Sequence, residues 1–176
     1  FKQSPPIFLF SKPLSLPICI WHSPLHSAIS LLVSHLLQSN LSQGSRPDMV
    51  QANTHLKTSK QWVGNLVELG EGRATVELET QAAMAVDDHN LVHGGFIFGL
   101  ADYAAMLSIN HPNVVLGGCS NRFLKPVVTG EKVVAKATLA REEGKKKIVE
   151  VTVTRGDDTV FTGEFICFIP EKHVLA

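Results

Sequence analysis

No aspartate or glutamate occurs before Asp48, although the 176-residue chain carries 16 acidic and 16 basic residues in all. The formal net charge is zero, so there is no basic excess to point to nucleic-acid binding. Cysteine is scarce: Cys19, Cys119 and Cys167 have no metal-type spacing, and an odd number gives no disulfide framework. Buried free thiols in a reducing compartment are the plain expectation, and no metal is called for. Tyrosine occurs once, at Tyr103. An uninterrupted apolar run is also missing. Leucines and isoleucines abound near the start, but His22, Pro24, His26 and His35 break them up, so no membrane span is expected.

The chain changes character near Asp48 and Met49, its first methionine. The stretch before is rich in serine and proline (Pro5, Pro6, Pro13, Pro17, Pro24), and Arg46 is its only arginine. Three readings compete. It is a transit segment, a weak secretory or membrane-surface segment, or upstream sequence translated in error with Met49 as the true start. The last is favoured. Residues 1–48 are therefore expected to be a disordered extension, and residues 49–176 the working domain. The location expected is cytoplasmic, or organellar if residues 1–48 are a transit segment.

Beyond Met49 the pattern becomes regular. Residues 73–80 alternate apolar and polar, as a half-buried strand does, after a turn at Gly70-Glu71-Gly72. Asp87-Asp88-His89-Asn90 is a polar loop. Residues 96–109 are almost all small or apolar and read as a helix buried on most sides, which Pro112 cannot continue. Residues 114–125, 132–141, 146–155 and 160–169 read as four further strands, with turns at Glu142-Glu143-Gly144 and Gly156-Asp157-Asp158. The order is strand, long helix, then a four-stranded meander. One antiparallel sheet wrapped around one helix follows, an α+β design.

The helix opens on His93-Gly94-Gly95 and carries Asp102 in its apolar stretch. A carboxylate there is costly to bury unless it is paired or has a task. The glycines leave backbone N–H groups bare at a helix start, where the dipole favours developing negative charge. These are two halves of an acyl-transfer site. Gly95 and Asp102 lie on one helix face, roughly 10 Å apart along the axis at ~1.5 Å per residue. Asp102 therefore falls short of a carbonyl held by its own glycines, whereas an antiparallel helix from a second copy would bring it there. The spacing favours a two-fold dimer with composite sites.

The motif His93-Gly94-Gly95 with Leu100-Ala101-Asp102, supported by Arg122-Phe123-Leu124-Lys125-Pro126, resembles the hotdog-fold acyl-CoA thioesterases, most closely their PaaI-type group. The resemblance covers roughly residues 54–170. It implies a hotdog homodimer or homotetramer acting on acyl-CoA thioesters, with no cofactor beyond the coenzyme A of the substrate. By the same resemblance Gly94 supplies the oxyanion-hole N–H, beside Gly95, and His93 orients the turn. Asp102 from the other subunit acts as base or nucleophile. The family often has asparagine six residues before the histidine. Here Asp87 stands there, with Asn90 three residues later, so either Asn90 substitutes or Asp87 takes another role. A second carboxylate near Asp102 would raise one of their pKa values. Lys125 and Arg122 are the candidates for holding the phosphates of coenzyme A.

Blander roles stand beside these. Gly94 and Gly95 can simply permit a tight turn, His93 can cap or pack, and Asp102 can be a structural buried acid. Tyr103 reads as packing, Lys145 to Lys147 as a solvated tip, and Cys119 and Ser120 lack a basic partner for a nucleophile's role. Asp88-His89-Asn90-Leu91-Val92-His93 also resembles the Asp-x-Asn-x-x-His site of hotdog enoyl-CoA hydratases, with Asp88 and His93 as acid and base, although Leu91 replaces the usual proline. A third reading is a binding module that holds acyl-CoA without turnover. No helix-turn-helix segment is apparent to support a ligand-sensing regulator.

Overall fold

A computed structural model describes residues 50–176, so the expectations for residues 1–48 lie outside the described residues. A short helix α1 (Lys60–Val63) leads into strands β1 (Asn65–Gly70) and β2 (Arg73–Glu79). A 3-10 turn (Ala82–Met84) and an extended loop then reach the long helix α2 (Gly94–Ile109), followed by β3 (Val115–Phe123), β4 (Lys132–Glu143), β5 (Lys146–Arg155) and β6 (Asp158–Phe168). All strand pairs are antiparallel, in the order β1-β2-β4-β5-β6-β3.

The expected sheet around one helix is present, with two differences. β1 is an additional strand. Its exposed and half-buried positions carry little alternation, and it is held by the hairpin at Gly72, whose φ of 66° suits glycine. The four strands after the helix are also not a continuous meander, because β3 pairs with β6 and not with β4. The segment between β3 and β4 crosses the end of the sheet, where Val92 N–H donates to Val127 O (2.9 Å) and Leu91 bridges to Val128. β4 thus enters beside β2, and β3 is left as an edge.

Alternation places the core. Ala74, Val76 and Leu78 of β2, Val133, Ala135 and Ala137 of β4, and Val149, Val151 and Val153 of β5 are buried facing α2. Ile97, Leu100, Ala104, Met106 and Leu107 of α2 are buried among them. Each large side chain so enclosed contributes about 1.5–3 kcal/mol of burial. The alanines at 101, 104 and 105 let the helix lie close to the sheet. It ends at Asn110 in the left-handed conformation (φ 50°), whose side chain accepts from Asn53 N–H and donates to Gln51 O.

Candidate active site

The start of α2 is built on two close contacts at its glycines. His93 is the N-cap, and its Nδ1 accepts from Gly95 N–H at 2.9 Å. The ring hydrogen is therefore on Nε2. A Cβ on Gly95 would lie 2.7 Å from that Nδ1, so only glycine lets the imidazole fold over. A Cβ on Gly94 would lie 3.0 Å from the Phe123 ring. His93 O accepts from Phe96 N–H, and His93 N–H donates to Met84 O, which pins the turn. Gly94 N–H makes no hydrogen bond with the described residues. Of the two glycine amides, Gly94 is the one open to a ligand, at the positive end of the helix dipole.

Asp102 lies about two turns further along, half-buried, with Phe98 between them. Phe98 packs on Phe165 of β6, ring centroids 5.7 Å apart. Oδ1 of Asp102 is enclosed and has no hydrogen-bond partner among the described residues. Burial pushes the Asp102 carboxyl up to about 6 from its ordinary 3.8, and no second carboxylate contributes. Its charge reaches Cys119 and Cys167, both raised mainly by burial, so Asp102 faces β3 and β6.

Asp87 sits in the loop before the motif. Its Oδ1 accepts from His89 N–H (3.0 Å) and Leu91 N–H (3.1 Å), so this carboxylate shapes the loop before the motif. Asn90 is exposed with φ 61°, and its carbonyl accepts from Thr129 N–H. Asp88 is exposed and makes no hydrogen bond with His93. The register sets Arg122 apart. It pairs with Thr162, which pairs with Thr152, on the sheet face turned away from α2. Lys125 does reach the helix start, lining the same cavity as Gly94, but it is ion-paired with Asp158.

Two features were not legible in the sequence. Arg155 gathers Glu131, Asp158 and Pro126 O, which braces the crossing segment behind Lys125. An apolar cavity of about 340 Å³ opens beside Gly94, walled by Val92, Ile97, Phe123, Val127 and Val160. Elsewhere, Tyr103 is buried with the Lys60 ammonium against its hydroxyl and ring, as a packing role requires. No helix among the described residues is long and apolar enough to cross a membrane.

Residues 89–162 match the model of the thioesterase superfamily. An uncharacterized protein from Pyrococcus horikoshii, known from a crystal structure, is 55% identical, with a TM-score of 0.71 over 72% of this chain and 98% of that one. A mutant of the phenylacetic acid degradation protein PaaI from Thermus thermophilus is 26% identical, with a TM-score of 0.58 over 63% and 97%. Among curated proteins, one named methylthioribose-1-phosphate isomerase from Aquifex aeolicus is 52% identical over 64% of this chain but only 25% of its own length. The transcription factor FapR of a Thermoanaerobacter species is 31% identical over 67% and 60%. The chain thus spans less than two thirds of either curated relative. Motif, sheet-wrapped helix and relatives agree: the fold is the hotdog fold, residues 89–162 belong to the thioesterase superfamily, and PaaI-type proteins are among the similar structures.

Proposed function

We propose that the protein hydrolyses acyl-CoA thioesters in a homodimer or homotetramer whose sites combine two chains. The observation that carries this is one pair on one helix, an amide at Gly94 and an enclosed carboxylate oxygen at Asp102, each without a partner among the described residues. Gly94 N–H and the helix dipole polarise the thioester carbonyl and stabilise the tetrahedral oxyanion. About two turns of helix separate the pair, so Asp102 acts on a carbonyl held by the other copy's Gly94. A carboxylate with a pKa near 6 is a competent base at neutral pH, and it draws the proton from the attacking water. In the alternative route Asp102 attacks directly and water resolves the anhydride. The thiolate leaves without strong acid assistance, and no cofactor beyond the substrate's coenzyme A takes part.

Family membership and the likeness to PaaI support this reading. The likeness to a protein named as a transcription factor supports a second, in which the same pocket binds a thioester without turnover. Thiol release from a panel of acyl-CoA thioesters separates them. Turnover by the wild type that Asp102→Asn loses is the result expected, and binding without thiol release favours the second.

A further inference from the structure

We propose that Phe123 fixes the size of the acyl group, as one wall of an acyl-binding cavity that Gly94 also lines. This rests on Gly94 N–H holding the thioester carbonyl. Phe123 ends β3 on the inner sheet face, edge-on to Phe161 at 5.1 Å between ring centroids. Its ring lies 3.0 Å from where a Gly94 Cβ would stand, so ring and glycine are immediate neighbours. Both line the cavity of about 340 Å³.

The lining decides which arm of a thioester enters. Val92, Ile97, Val127 and Val160 are all buried and purely apolar. The carbonyls of Val127 and Val160 already accept from Val92 N–H and Leu124 N–H. Lys125, the charged residue at the rim, is paired with Asp158. The two amides of a pantetheine arm would go unpartnered here, at a cost of about 1–3 kcal/mol each. An uncharged acyl group meets no such penalty. A cavity of ~150 Å³ accepts benzene, so this one takes a medium straight chain or a single aromatic ring. Phe123 itself is 55% exposed, which is unusual for a large aromatic side chain and leaves its ring facing the space a ligand would fill.

The test uses uncleavable S-alkyl-CoA thioethers, from ethyl through butyl and octyl to dodecyl, titrated calorimetrically into the full chain. Hydrolysis of the matching thioesters is measured in parallel. Wild type should bind octyl best. Phe123→Ala should raise the preference for dodecyl over butyl by about tenfold or more, with Phe123→Leu in between. A uniform change at every length overturns the proposal. So does an altered ratio of coenzyme A to N-acetylcysteamine thioesters with length preference intact, since the cavity would then hold the pantetheine arm. The thioethers need no turnover. Length-dependent binding without hydrolysis would remove the esterase reading and leave this one standing, whereas hydrolysis with an unmoved length preference would do the reverse.

Discussion

The imidazole of His93 folds over Gly95 and takes its amide at 2.9 Å, leaving the neighbouring Gly94 amide as the one of the pair that faces outward. The motif thus divides its work between capping and binding. His93→Ala and Gly95→Ala should each cost about 0.5–2 kcal/mol through the lost cap, read by urea unfolding. Wild-type stability in both variants would show that the cap does not hold the turn.

At Gly94 the amide can be separated from the space around it. Gly94→Ala and Gly94→Pro both push a Cβ toward Phe123, but only proline removes the N–H, at a first helical position that tolerates it. Proline should therefore lower kcat a further ~10²–10³-fold below alanine. Comparable rates in the two variants would remove the amide from the mechanism.

Asp102 links activity to stability in opposite directions. Its folded pKa of about 6 lies above the ordinary 3.8, so the folded protein holds this proton more tightly than the unfolded chain does. That contribution is fully present below the unfolded value and is lost as pH rises through about 6. At pH 8 Asp102→Asn should be more stable than wild type by about 1–3 kcal/mol, with the gap closing toward pH 4. In wild type, kcat/KM should fall as pH drops through about 6, where the base takes its proton. Matched unfolding and pH–rate curves check both. A variant that is less stable at pH 8 would mean that the carboxylate is paired in solution.

The two cations near the end of β3 should behave differently. Lys125 lines the cavity beside Gly94 and Arg122 lies on the opposite sheet face. Lys125→Ala should raise KM for acyl-CoA several-fold, by the ~1 kcal/mol scale of an exposed charge. It should leave N-acetylcysteamine thioesters unaffected. Arg122→Ala should change neither. A KM effect confined to Arg122 would place the nucleotide on the outer face.

The sequence by itself determined the helix, most of the strands and the pairing of a glycine-led helix start with a lone acid. Period-two alternation, a Pro112 stop and a carboxylate among alanines and leucines are local signals that survive folding. It could not place β3. The hydrogen-bonding edge that a strand meets depends on where the crossing segment is anchored, and Val127 finds Val92 across 35 positions of chain. Nor could it say which glycine amide stays open, since that depends on the His93 ring folding over Gly95 and taking its amide. Arg122 and Lys125 look equivalent as neighbouring cations, but only the pleat and the end of β3 send them to different sides. The elevated pKa of Asp102 has the same origin. The residue type is written in the chain, and its desolvation arises only when α2 packs against β3 and β6.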